Sequence, residues 1–386
     1  MGPIRMSQKE FKHYRLAIEV IEGKMSITDF SLQIGKSYRQ SQRIVQRVRT
    51  TDHLGIFHGN SGRVPHNKTP FATELKIIDL LKNRYINFNL THFNEMAKLH
   101  EGLIIKKDAL HTIAKRHGLI KNPKRRGRRS HRPRARLARE GMMIQFDGSQ
   151  HLWFGNIKTD LIGGIDDATG KVLAGEFFFG ETSNHSMKVI REIIDTKGLP
   201  ESFYMDQAGI YGKVDIEWES QISRAFEQTG IRLILAGSSQ AKGRIERLWR
   251  TFQDRLIAEL ALHDITEITE ANKFLKNNFI PNYNLRFSVS AEDNRPIYRK
   301  NIFGDLDLIF CRKVQRKIMS GNVFSWENVT WVVDTTKAYS GREININTHL
   351  NGTTSFDIMG RKINCKIFTN KRLSDYGNKS KLRKAS

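Results

Sequence analysis

Apolar positions along residues 7–50 recur every three to four places, in three short runs that predict three helices. "FKHYRLAIEVIEGK" carries one apolar stripe, "SITDFSLQIG" opens on a Ser cap and closes at Gly35, and "KSYRQSQRIVQRVR" follows. In the last run Ile44, Val45 and Val48 can face a core, while Tyr38, Arg39, Gln40, Gln42 and Arg43 stay exposed near the helix start. This is a helix-turn-helix pattern, with those five residues where a recognition helix meets base edges. A small helical bundle with a solvated basic face would share it. The Gly-, His- and Asn-rich stretch "HLGIFHGNSGRVPHNKTP" interrupts the periodicity. Helical spacing then resumes over 71–118 in "TELKIIDLLKNRY", "NLTHFNEMAKLH" (capped by Asn89 or Thr91) and "IKKDALHTIAKRHGL", which ends at Gly118. This second block reads either as another DNA-binding unit or as a helical spacer.

From residue 140 the period changes. "GMMIQFDG", "DLIGGIDDATG" and "KVLAGEFFFGE" are strand-like runs separated by short turns, which predicts an antiparallel meander. A helix "SNHSMKVIREIIDTKG", strand "ESFYMDQ", helix "WESQISRAFEQTG", strand "IRLILAGSS" and a long helix beginning "QAKGRIERLWRTFQDRLIAELAL" complete a β-β-β-α-β-α-β-α order, hence a mixed sheet flanked by helices. Beyond about residue 298, "NVFSWENVTWVVD", "REININTHLNG", "TTSFDIMG" and "RKINCKIF" alternate in short pieces broken by turns, which predicts a small β-barrel of four to six strands. The expected organisation is therefore multidomain: an all-α helix-turn-helix domain (1–62), a second helical region with a basic linker (63–139), an α/β mixed-sheet domain (140–298), a small β-barrel (299–372) and a basic tail (373–386).

Charge narrows the partner. The chain of 386 residues holds 64 Lys and Arg against 40 Asp and Glu, a formal charge of +24, and a field of one sign this large suits a polyanion. Nucleic acid is favoured over an anionic membrane surface. No run of about 18 apolar residues occurs and the N-terminus resembles no signal peptide, so a cytoplasmic, nucleoid-associated protein is expected. Ten of the cations crowd into "KNPKRRGRRSHRPRARLAR" with no acid among them, including Arg125, Arg126, Arg128 and Arg129. Alone such a segment repels itself; along a phosphate backbone it releases counterions and binds without regard to sequence. Cys311 and Cys365 have no metal-site or disulfide spacing and read as buried free thiols.

Three carboxylates are placed unusually. Asp147 ends the first central strand, Asp206 ends "ESFYMD", and Glu246 lies in the first turns of the long helix. Taken singly, the two aspartates could be turn residues and Glu246 could pair with Arg250. Taken together, strand ends at one sheet edge with a helix alongside would gather all three. Two carboxylates about 4 Å apart repel by roughly 4 kcal/mol at an effective dielectric near 20, so such a cluster needs cations. Oxygen ligands without Cys or His point to two Mg²⁺ ions, or Mn²⁺, which can bind the attacking and leaving oxygens of a phosphodiester in line. Lys242 and Arg244 open the same helix and would aim positive charge at phosphate. Asp166 and Asp167 read as a turn, His151 and His185 as non-ligands, and Trp153 and Phe154 as either base-stacking or packing residues.

The runs "QFDGSQHLWF", "GGIDDATGKVLAGEFF", "YMDQAG", "GIRLILAGSSQAKGRIERLWRTFQDRL" and "ANKFL", then "NYNLRFSV", resemble the catalytic core of DDE-type transposases of bacterial insertion sequences, relatives of retroviral integrases. The resemblance extends to the N-terminal helices and to the link "LGIFHGNSGR". It implies a ribonuclease H-like core in which Asp147, Asp206 and Glu246 form a metal-binding triad for strand cleavage and transfer. It also implies terminal inverted repeats and target DNA as double-stranded partners, and at least a homodimer to hold two ends. The separation of 40 positions between Asp206 and Glu246 is longer than in retroviral integrases; Ser239 and "DQAGIYG" also depart from the family pattern. A domesticated, inactive DNA-binding regulator and a nuclease acting on RNA–DNA hybrids are the alternatives.

Overall fold

The computed structural model describes residues 6–58, 60, 64–66, 68–120, 134–154, 157–206, 216–236 and 243–368. The chain divides into two compact units, Met1–Leu75 and Lys76–Ser386.

The first unit contains α1 (Gln8–Ile21), α2 (Ile27–Ile34), α3 (Tyr38–Thr51) and a 3₁₀ turn, Asp52–Ile56. Each α-helix starts at a serine, Ser7, Ser26 or Ser37, whose side-chain oxygen accepts from a backbone N–H of the first turn; Ser7 and Glu10 form a reciprocal capping box. Gly35 ends α2 in the left-handed region at φ 64°, a conformation that glycine adopts without a Cβ clash, and turns the chain into α3. Leu16, Ala17, Phe30, Ile34, Val45, Val48 and Ile56 form the core of this three-helix unit.

Helix α4 (Phe71–Lys82) runs across the boundary; in the second unit its later turns, α5 (Leu90–Glu101) and α6 (Lys107–Arg116) enclose Ile77, Tyr85, Phe93, Met96, Leu110 and Ile113. The central sheet comprises β1 (Ile144–His151), β2 (Thr159–Asp166), β3 (Val172–Phe178), β4 (Ser202–Asp206) and β5 (Arg232–Ala236) in the order β3-β2-β1-β4-β5. The first three strands are an antiparallel meander, and β4 and β5 run parallel to β1. Helices α7 (Ser183–Lys197) and α8 (Ile216–Thr229) belong to one face, whose core includes Ile144, Phe146, Ile162, Ile190, Ile193, Phe203, Met205 and Phe226. On the other face lies α9 (Gly243–Leu262), with Leu161, Ile165, Phe177, Ile245, Leu248, Trp249, Phe252 and Leu256. The chain continues through α10 (Ile268–Phe274), a π-helical turn (Leu275–Phe279), α11 (Ile280–Phe287) and the short α12 (Leu306–Ile309). The mixed sheet, the meander and the helical N-terminus are as the periodicity predicts.

The second helical block is attached to the sheet domain through α9. Asn89 donates to Asp254, His92 lies 2.9 Å from Glu259, and Glu95 accepts from Arg255 at 2.5 Å and from Arg286 at 2.8 Å. Among the described residues no helix is long and apolar enough to cross a membrane.

The expected closed β-barrel is corrected. The C-terminal strands β6 (Arg312–Lys317), β7 (Val323–Trp326), β8 (Val329–Val333), β9 (Glu343–Thr348), β10 (Thr354–Ile358), β11 (Arg361–Ile363) and β12 (Cys365–Ile367) form two open sheets, β11-β10-β9-β6 and β12-β8-β7. Closing a sheet requires a consistent tilt and stagger right round the barrel. Here strands of three to six residues stop before that, and the two sheets share a core of Ile318, Phe324, Val333, Ile344, Ile346, Phe356 and Ile358. Gln221 of α8 exchanges hydrogen bonds of 2.9 and 3.0 Å with the backbone of Lys313, joining this region to the sheet domain.

One glycine decides how closely α9 approaches the sheet. A Cβ on Gly163 of β2 would lie 3.1 Å from the Trp249 ring and 3.1 Å from the Ala174 carbonyl oxygen. Gly163→Val should therefore destabilise the sheet domain by about 1–3 kcal/mol through overpacking. Thermal or urea unfolding checks this; an unchanged midpoint would mean that the seam yields.

Candidate active site

The site is built on the seam between β1 and α9. Side chains of a strand alternate between faces. Ile144 and Phe146 join the core under α7 and α8, which leaves Gln145, Asp147 and Ser149 on the α9 side. All three touch α9 in order. The amide N–H of Ile245 donates to Gln145 Oε1 at 3.2 Å, Trp249 Nε1 donates to Asp147 Oδ2 at 3.2 Å, and Gln253 Nε2 donates to Ser149 Oγ at 3.3 Å. Two residues of strand climb roughly 6.6 Å and four of helix about 6.0 Å, so the rungs stay in step.

The parallel pairing of β1 with β4 matches Ile144 to Phe203 and Gln145 to Tyr204. Continued two residues past the last pair, the same register would bring Asp147 beside Asp206. Phe203 and Met205 lie in the core under α7 and α8, so Asp206, like Asp147, falls on the α9 face. Adjacent strands are about 4.8 Å apart, close enough for the two carboxylates to share a cation. Glu246 is exposed on α9, three residues before Trp249 and therefore one turn from the side chain that touches Asp147. The donor set is oxygen only, which suits a hard divalent ion. Among the described residues no three such side chains already converge as a metal-ligand group.

Below the acids lies a buried polar hub that sequence reading missed. Asp167 is fully buried; Arg134 and Arg244 both donate to its Oδ1, Arg244 at 2.7 Å, as does Gln145 Nε2 at 2.7 Å, while the Leu137 N–H donates to Oδ2 at 3.1 Å. Arg136 donates to the carbonyls of Asp167 and Ala168, both at 3.2 Å. Asp166 is the turn residue of the pair, accepting from Thr169 N and Oγ1 and from Gly141 N. The "IDDATG" stretch is thus a turn at Asp166 and a docking point for the end of the basic segment at Asp167. The local signal that could have exposed the second role, an acid beyond the turn's own needs, was present as Asp-Asp.

The other expected site residues fall into three groups. Tyr38, Arg39, Gln40, Gln42 and Arg43 are all exposed along the first turns of α3, while Ser41 and Val45 are buried on its opposite face. Arg125, Arg126, Arg128, Arg129 and Lys242 lie outside the described residues. Arg244 does not face solvent as a phosphate contact would: it is one-tenth exposed, bonded to Asp167 and to the Arg134 carbonyl at 2.9 Å. Burial lowers its pKa, Asp167 opposes that, and Arg134, Arg136 and Arg247 add to the depression. Trp153 is fully buried, donating to the Ser149 carbonyl at 2.9 Å and packing edge-on against Phe177, as does Phe154, so this aromatic pair packs. His185 stacks on Phe178 and bonds the Gly180 carbonyl at 2.7 Å. Cys311 is buried and Cys365 half-buried, both free.

No family model matches the chain. Two curated relatives do. The protein named "Putative transposase y4bF" of Sinorhizobium fredii is 29% identical, over 97% of this chain and 87% of its own length. The transposase for insertion sequence IS1202 of Streptococcus pneumoniae is 26% identical, over 84% of this chain and 78% of its own. Among solved structures, the catalytic core domain of HTLV-2 integrase in complex with magnesium aligns to 35% of this chain and 83% of its own, at 16% identity and a TM-score of 0.27. The simian T-cell lymphotropic virus intasome in complex with a PP2A regulatory subunit aligns to 72% of this chain and 96% of its own, at 11% identity and a TM-score of 0.32. Likenesses of that size bear no weight. The sequence relatives do: over nearly its whole length the chain is similar to transposases, in keeping with its resemblance to the insertion-sequence DDE family.

Arg244→Gln should act as a fold variant, lowering the stability of the sheet domain by about 1–3 kcal/mol because it leaves a buried carboxylate short of a cation. The salt dependence of DNA binding should stay as it is. A flattened salt slope with unchanged thermal unfolding would return Arg244 to the phosphate-binding group.

Proposed function

We propose that the protein is a DNA transposase, with Asp147, Asp206 and Glu246 as the acids that serve DNA cleavage and strand transfer. The observation that carries this reading is the parallel pairing of β1 with β4, Ile144 with Phe203 and Gln145 with Tyr204; continued two residues, it would bring Asp147 beside Asp206 on the face that α9 covers. The strand order and mixed polarity of the sheet support a ribonuclease H-like core. Two transposases matched along most of their length support the class of activity.

In this reading Asp147, Asp206 and Glu246 would hold a pair of Mg²⁺ or Mn²⁺ ions. When bound, the metal supplies a charge that offsets the crowded carboxylates and polarises the phosphodiester oxygens. The protein's own contributions are orientation and binding. Trp249 donates to one oxygen of Asp147 from the helix side, which restricts how that carboxylate can turn. The exposed first turns of α3 present Tyr38, Arg39, Gln40, Gln42 and Arg43 to the bases of a terminal repeat as a recognition helix does. Arg125, Arg126, Arg128 and Arg129 belong to a sequence-independent grip on phosphate. The partners are double-stranded transposon ends and target DNA, held by a homodimer or larger assembly.

Asp147→Asn, Asp206→Asn and Glu246→Gln should each abolish strand transfer on terminal-repeat DNA while leaving its binding intact. Undiminished joining by any one of the three would sink the triad assignment, and efficient cleavage of RNA–DNA hybrids but not of duplex DNA would favour a nuclease. Neutralising Arg125, Arg126, Arg128 and Arg129 together should weaken binding to all sequences and flatten its salt dependence, as a filter-binding or anisotropy titration across ionic strength will register.

A further inference from the structure

The first turn of α9 is bonded to the sheet. The Ile245 N–H is one of the first-turn donors that a helix leaves without an intrahelical partner, and it finds Gln145 Oε1 on β1. Gln145 is fully buried, and its amide nitrogen is fixed in turn by Asp167 Oδ1 at 2.7 Å. The same carboxylate binds Arg244, the residue before Ile245, and Arg134, which belongs to the cation-rich run. Every bond in this chain has one outcome: residues 244 and 245 cannot move without breaking contacts in a dry environment, where an unpaired polar group is costly. Glu246 is the next residue.

We propose that Gln145 and Asp167 are positioning residues for the triad, setting where Glu246 stands relative to Asp147 and Asp206. The inference rests on the functional reading given above. Neither residue touches the reacting atoms. Gln145 and Asp147 are two positions apart on one face of β1, so a single strand carries both a candidate ligand and the brace that aims the third acid. Arg134 brings the end of the DNA-gripping segment to the same carboxylate, so the segment that holds DNA and the helix that holds Glu246 are referred to one buried point.

Gln145→Met keeps the volume and removes both hydrogen bonds; Asp167→Asn keeps the shape and removes the charge. Both are to be made in the full-length protein. Three readouts are compared with the unaltered chain: hydrogen exchange of residues 243–248 in metal-free protein, calorimetric titration with Mn²⁺, and strand transfer as a function of Mg²⁺ concentration. The expected result is faster exchange in the first turn of α9, Mn²⁺ affinity weaker by about 10- to 100-fold, and a Mg²⁺ half-saturation raised to match, with terminal-repeat binding unchanged. A merely structural role would lower the unfolding temperature without moving the metal titrations, and that outcome overturns the proposal. So does Gln145→Met with unaltered exchange and metal affinity; if Asp167→Asn does not fold, Gln145→Met decides alone. Unaltered protein that binds Mn²⁺ at this site but joins no DNA would count against the transposase reading and leave the positioning intact.

Discussion

The structure depends on a match of pitch between a strand and a helix. On the α9 face of β1, Gln145, Asp147 and Ser149 meet Ile245, Trp249 and Gln253, two residues of strand for every four of helix. Because those rises nearly coincide, the rungs can all be made at once without bending either element. Everything the site needs follows from that alignment: the face on which Asp147 points, the turn of α9 on which Glu246 emerges, and the room that Gly163 leaves for the Trp249 ring between them.

The polar hub beneath this seam shows how a buried charge is made tolerable. Asp167 is out of water, yet it receives two guanidinium groups, a side-chain amide and a backbone N–H, so its oxygens are satisfied from several elements at once. Such a group cannot be replaced piecemeal, since Gln145 is itself fully buried and the Arg244 side chain nearly so. It ties residues 134–137, β1, the β2–β3 turn and the start of α9 into one arrangement, although these segments are far apart in sequence.

Much of the fold could be read from the chain because it rests on local rules. The serine caps, the left-handed Gly35 and the helical stripes of α1 to α3 and α9 are written within a few residues of where they act, and so is the alternation of β1. Asp147, Asp206 and Glu246 each have an ordinary local reading, and only their joint placement on two strand ends and one helix of a mixed sheet singles them out. What escaped was decided by distant partners. Asp167 and Arg244 look like a turn acid and an exposed cation until the fold sets them 2.7 Å apart. Trp153 was ambiguous because only the position of Phe177 shows that it packs. The C-terminal strands were recognisable one by one, but alternation does not say which edges join, and they form two open sheets rather than a barrel.

The rungs also separate two distances that are easily confused. Along the chain Asp206 and Glu246 are 40 positions apart, with α8 and β5 lying between β4 and α9, yet Ile245 and Trp249 on either side of Glu246 are bonded to Gln145 and Asp147 on β1. A loop inserted between those elements would cost entropy that grows only with the logarithm of its size. A shift of one residue within β1 would instead turn its three polar side chains to the wrong face of the sheet. Evolution can therefore elaborate the region between the last two acids while β1 and the first turns of α9 stay fixed in phase.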